Sequence, residues 1–165
     1  MYWNLLKRLA VASGALAFLH RVRNRRTLTV VMFHRVLGPE DHRWKTCDPA
    51  YTLDSRHFAD CLSFFVRHYN VVSLRQVIDA HRGRSDLPDR ALLITFDDGW
   101  ADNAQYALPE LAGLNLPGVI FVATDAIGRS SPFFQEQIFG AWRRQRLSTG
   151  ELAAAIRSLG FSVTD

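Results

Sequence analysis

The sequence predicts an α/β protein, a parallel sheet with helices packed outside it. Three observations predict it. Short β-branched, apolar runs alternate with amphipathic stretches of helical period along the chain, the pattern that builds strand–helix–strand units. The strand-like runs are almost continuously apolar rather than alternating, as strands covered on both faces are. And the polar residues with chemistry to offer, His34 and Asp97-Asp98, fall at the ends of two such runs, where α/β folds build their sites.

Taken in order, Leu28-Thr29-Val30-Val31-Met32-Phe33 reads as a buried strand ending at His34, and the polar stretch from Gly38 to Pro49 reads as a loop. Asp54 and Ser55 can cap a helix in which Phe58, Cys61, Leu62, Phe65 and Val66 recur on one face. Asn70-Val71-Val72 is a short strand. Ser73 and Gln76 have capping-box spacing, so a helix is expected from there to about His81. Arg82 to Asp89, charged and holding Gly83 and Pro88, is a loop. Ala91 to Phe96 is the clearest strand of all, and it runs into Asp97-Asp98-Gly99. A helix from about Ala101 to Leu114 follows, kinked or split at Pro109. Pro117 to Ala123 reads as a further strand and Phe133 to about Arg144 as a helix. Ser148 and Glu151 open a last helix, which Gly160 ends.

The chain has 165 residues, 48% hydrophobic and 22% charged, enough for one domain with its own core and unlike a disordered chain. Its formal charge of +4 gathers partly in Arg21, Arg23, Arg25 and Arg26. That cluster reads either as a solvated junction before the first strand or as a patch touching anionic lipid or polymer. No nucleic-acid recognition motif accompanies it, so nucleic acid is not an expected partner. Cys47 and Cys61 have no metal-type spacing, and Cys61 is expected on a buried helix face. The apolar run Leu9 to Leu19 is too short to span a bilayer and is followed by arginines rather than a cleavage site. Residues 1–27 are accordingly an expected apolar and basic helix, retained in the mature chain, with peripheral membrane contact open to residues 2–26. The expected location is cytoplasmic or membrane-peripheral rather than secreted.

Two adjacent carboxylates at the mouth of a buried strand repel each other and lose hydration, which requires compensation by a cation or by strong hydrogen bonds. Successive side chains at a strand end point different ways, so Asp97 and Asp98 can take different roles, and Gly99 permits a sharp turn beneath them. The alternative is a pair of helix-capping aspartates. His34, a catalytic candidate beside Asp97, either orients the base or touches substrate, or is a strand-end histidine satisfied by backbone. His57 and His68 read as surface residues of a helix. Phosphatase-like enzymes whose strand ends in Asp-x-Asp-Gly are excluded, because Phe96 stands where their nucleophile would be.

Leu93-Ile94-Thr95-Phe96-Asp97-Asp98-Gly99 resembles the first signature of the NodB-like polysaccharide deacetylases, the fourth carbohydrate esterase family. Val30 to Val36 is similar to the strand that opens many of these domains. Ala101-Asp102-Asn103 through Leu108-Pro109, and Phe121-Val122-Ala123-Thr124, resemble the family in order and spacing. The resemblance covers roughly residues 28–145. It implies an incomplete, distorted (β/α) barrel, cut after about half of the domain, over residues 28–165. It implies an acetylated polysaccharide or oligosaccharide as substrate, with acetate released from nitrogen or oxygen. Asp97 matches the family's general base, and Asp98 matches the carboxylate ligand of a divalent metal, zinc in most of the family. The family completes its metal site with a later His-x-x-x-His. Here the six histidines are His20, His34, His42, His57, His68 and His81, none after Asp98 and no two four apart. The resemblance therefore leaves the metal site short of ligands, and a non-catalytic, glycan- or partner-binding chain is the competing expectation. Phe133, Phe134 and Gln135 stand where relatives often carry a tryptophan and an acidic residue.

Overall fold

The computed structural model describes residues 13, 14, 18, 22, 25–128, 133–144, 148–158 and 162. The N-terminal helix expected over residues 2–20, and with it the membrane contact, lies almost wholly outside the described residues. No described helix is long and apolar enough to cross a membrane.

Strand β1 (Leu28–Phe33) lies parallel to β5 (Ala91–Phe96) along its whole length, from Leu28 beside Ala91 to Phe33 beside Phe96. The other edge of β5 carries two short parallel partners, β4 (Asn70–Val71) at its start and β6 (Val119–Ile120) at its end. A second, two-stranded parallel sheet joins β2 (Arg35–Leu37) to β3 (Thr52–Asp54). The parallel α/β class is as expected. Among the described residues the strands form an open sheet and close no barrel.

Helices cover one face of this sheet. In α1 (Ser55–His68), Asp54 caps the first turn, its Oδ1 accepting the Arg56 N–H at 2.8 Å. Phe58, Leu62 and Phe65 point inward. They meet Leu92, Ile94 and Phe96 of β5, Val36 of β2, and Ala107 and Leu111 beyond β5. Phe58 is the centre of this core. It is fully buried and meets the rings of Phe33 at 5.1 Å and Phe96 at 5.8 Å. In α2 (Leu74–His81) both arms of the capping box are made, Gln76 N–H to Ser73 Oγ at 3.3 Å and Ser73 N–H to Gln76 Oε1 at 2.8 Å.

Several expectations need correction. The polar stretch between Gly38 and Pro49 contains a 3₁₀ turn, His42–Lys45, and β2 and β3 flank it. β1 is half-buried on its helix-facing side alone, and Val30 and Met32 are 55% and 59% exposed on the opposite face. Cys61 is half-buried at the edge of the core, whereas Cys47, from the stretch read as a loop, is fully buried. β6 is shorter than the apolar run that suggested it. The helix after Gly99 is neither broken nor split at Pro109: a π-helical turn, Asn103–Ala107, runs directly into α3 (Leu108–Gly113), whose first turn holds Pro109. Helices α4 (Phe134–Arg143) and α5 (Thr149–Ser158) fall where expected, and Ser148 and Glu151 make the capping box of α5.

The 3₁₀ turn is tied to the π-helical turn by one carboxylate. Asp41 accepts the Arg43 backbone N–H at 2.8 Å, two guanidinium bonds from the same arginine at 2.9 and 2.7 Å, and the Tyr106 hydroxyl at 2.8 Å. The Arg43 side chain is the main reason the Asp41 carboxyl is held far below the ordinary carboxylate range. A carboxyl depressed in the folded state adds stability above its unfolded pKa of about 4, and this is lost as pH falls below that value. Asp41→Asn is expected to lower stability at neutral pH and to flatten its fall between pH ~5 and pH ~2, as read by urea unfolding. An unchanged acid slope would contradict it.

Candidate active site

The register of β1 and β5 decides where the candidate residues emerge. Phe33 lies beside Phe96, and the Asp97 N–H donates to the Phe33 carbonyl at 2.9 Å. His34 and Asp97 therefore leave neighbouring strands side by side at their carboxyl ends. The backbone then turns abruptly. Asp98 has φ +70° and Gly99 φ +78°, left-handed values that aspartate tolerates better than most residues and glycine adopts freely. Gly99 is required for a second reason: a Cβ there would stand 3.0 Å from Val122 Cγ1.

This turn sends the two carboxylates to different surroundings. Asp97 borders the open sheet face, beside Val30, Met32 and Thr95. Asp98 borders that face too, but also a separate cleft of about 340 Å³ that it shares with His34. The two aspartates and His34 are thus grouped at one end of the sheet, and His34 shares its cleft with Asp98 and not with Asp97. The His34 ring rests 5.0 Å from that of Tyr51, and its carbonyl accepts from Asn103 Nδ2 at 2.9 Å. Trp100 Nε1–H donates to Asp98 Oδ2 at 3.2 Å, which fixes the carboxylate in the cleft wall.

Behind the cleft lies a charge network that sequence reading missed. Arg35, 5% exposed, sends Nε and Nη2 to Asp102 Oδ2 at 2.9 and 2.7 Å, and Nη1 to Glu136 Oε2 at 2.9 Å. Its guanidinium also lies 4.2 Å from the Trp100 ring centre, and Trp100 meets Phe133 edge-on at 4.8 Å. One buried cation thus joins β2, the turn after β5 and α4, and braces the tryptophan that holds Asp98. Burial pushes the Asp102 carboxyl up, against the pull of Arg35 and Arg43. The available signal was an arginine placed, with His34, between the apolar Phe33 and Val36. Glu136 supplies an acidic group close to the expected position, and Phe133 lines the cleft. The side chains of Phe134 and Gln135 lie outside the description.

A catalytic zinc site takes three protein ligands. The cleft is bordered by Asp98 and His34, and also by Asp48 and by Glu136, the latter paired with Arg35. Among the described residues no three histidine, cysteine, aspartate or glutamate side chains stand close enough together to hold an ion. The residues present do not make a firm metal site by themselves.

No family model matches the chain. Over 51 residues it is 39% identical to the poly-beta-1,6-N-acetyl-D-glucosamine N-deacetylase of Escherichia coli strain K12, and equally to that of Escherichia coli O157:H7. The match takes in 31% of this chain and 8% of either relative. Among solved structures, a de-N-acetylase from Aggregatibacter actinomycetemcomitans superposes with a TM-score of 0.56 at 23% identity, over 81% of this chain and 51% of that one. IcaB from Ammonifex degensii gives 0.53 at 22% identity, over 82% and 71%. The deacetylase PplD from Streptococcus pyogenes gives 0.53 at 16% identity, over 73% and 53%. The chain spans about half the length of the first of these structures. The chain thus shares the fold of these solved structures and, over 51 residues, the sequence of the Escherichia coli N-deacetylases.

Proposed function

We propose that the chain carries the aspartate half of a site that removes acetyl groups from the N-acetylated sugars of a polysaccharide. The supporting observation is the grouping at one end of the sheet: Asp97 and Asp98 follow β5 and share its open face, Asp98 also borders the cleft, and His34 leaves the neighbouring β1 in register beside them. In this reading Asp97 takes a proton from the water that attacks the acetamide carbonyl, as a general base does. The water oxygen bonds to the carbonyl carbon, the C–N bond breaks, and the proton passes to the departing amine, leaving acetate and a free amino sugar. Asp98 and His34 are the donors on the metal side, and zinc is the metal the resemblance implies. Among the described residues no third ligand stands beside them. The lack of a third ligand among the described residues also supports a second reading, in which this chain binds glycan without cleaving it.

Acetate release from an N-acetylglucosamine oligosaccharide, with zinc added, separates the two. The 165-residue chain is expected to release no more than a blank. Release that Asp97→Asn abolishes would show a complete catalyst, built from ligands within these residues.

A further inference from the structure

Three aromatic rings border the cleft that holds His34 and Asp98: Tyr51, Trp100 and Phe133. Two of them are already engaged with each other. Trp100 has the Arg35 guanidinium 4.2 Å from its ring centre, Phe133 edge-on at 4.8 Å, and its N–H committed to Asp98 Oδ2 at 3.2 Å. Tyr51 is placed differently. It is 58% exposed, and its described ring contact is with His34, tilted, with centroids 5.0 Å apart. Among the described residues its hydroxyl has no hydrogen-bond partner. Yet its backbone is held on both sides. The Tyr51 N–H donates to the Asp48 carbonyl at 3.2 Å, and the Tyr51 carbonyl accepts the Arg35 N–H at 3.1 Å. The next residue, Thr52, opens β3 and bonds the same Asp48 carbonyl through Oγ1 at 2.7 Å. A ring presented from a fixed turn, with one face in water, is a surface made ready for a ligand, because little order has to be gained on binding.

The chemistry of that ligand follows from the ring. A phenol offers a flat apolar face with negative charge density and a polar tip. A pyranose ring with equatorial hydroxyls is its complement: axial C–H groups cover its faces and hydroxyls rim its edge, so C–H groups rest on the aromatic face while the rim stays wet. A volume of about 340 Å³ lies at the small end of ligand sites and suits a single such ring. We propose that Tyr51 is the stacking platform of the cleft, seating one pyranose ring beside His34, and that it recognises the sugar rather than its acetyl group. The inference rests on the cleft being a glycan site, and it holds whether or not the glycan is cleaved there.

The test is an NMR titration of the intact 165-residue chain with an N-acetylglucosamine pentasaccharide. Tyr51→Ala is expected to weaken binding about tenfold, and Tyr51→Phe, which keeps the ring face, by less than about twofold. Added salt is expected to leave the affinity unchanged, since no charge is involved. Nuclear Overhauser transfer from the sugar C–H protons to the Tyr51 ring is expected in the parent chain. A merely structural role would not produce that contact, and it decides the matter should the alanine variant unfold. Undiminished binding by Tyr51→Ala, or absence of the transfer, would overturn the platform and leave the glycan site standing. Equal losses in Tyr51→Phe and Tyr51→Ala would place recognition on the hydroxyl and overturn the stacking. No binding of the pentasaccharide would remove the glycan reading itself, and this inference with it.

Discussion

Arg35→Leu is expected to destabilise the fold by about 3–5 kcal/mol, the cost of breaking a buried ion pair by removing one partner. The cause is what remains rather than what is lost. Asp102 is 1% exposed and would keep a carboxylate whose principal bonds are those from Arg35. Glu136 would lose its 2.9 Å partner, and Trp100 the cation over its ring. For a domain whose total stability lies in the usual range of about 5–15 kcal/mol, this is a large fraction. Urea unfolding measures it. Adding Asp102→Leu to an Arg35→Met variant is expected to recover part of the loss, because Asp102 no longer leaves a stranded charge while Glu136 still lacks its partner. A loss below about 1 kcal/mol in the single variant would show that the network behaves like a surface pair.

Phe58→Ala is expected to cost about 3–5 kcal/mol as well, through a different mechanism. Phe58 sits where α1 meets β1 and β5, fully buried, with the rings of Phe33 and Phe96 on either side. Truncation loses the transfer free energy of the ring and opens a cavity that two strand-anchored neighbours cannot close. Phe58→Leu keeps most of the volume and is expected to cost well under half as much. Equal losses for alanine and leucine would point to the aromatic contacts rather than the cavity.

The elements legible in the sequence were those with strong local signals. β5 is six consecutive residues that are almost all apolar, α1 has its apolar face and aspartate cap, and α2 has its capping box. What was not legible depends on distant partners. β2 and β3 are three residues each and exist because Arg35 to Leu37 pair with Thr52 to Asp54 across an intervening turn. β6 ends at Ile120, beside the last residue of β5, and beyond it Phe121 and Ala123 still donate to the carbonyls of Phe96 and Asp98. The exposed side of β1 could not be told from a buried one, since Val30 and Met32 are as apolar as Val31 and Phe33. The site divides the same way. His34, Asp97 and Asp98 announce themselves as polar residues at strand ends. Arg35 and Asp102 are 67 residues apart, and no spacing rule connects them. The positive φ at Asp98, which parts the two carboxylates, was suggested by Gly99 alone.

The most direct measurement is a calorimetric titration of the 165-residue chain with zinc at neutral pH. Asp98 and His34 leave most of a coordination sphere to water, so no saturable uptake is expected at micromolar zinc, and Asp98→Asn should give the same trace as the parent chain. Stoichiometric, sub-micromolar binding that Asp98→Asn removes would contradict the half-site, and would mean that the 165 residues hold a complete set of ligands.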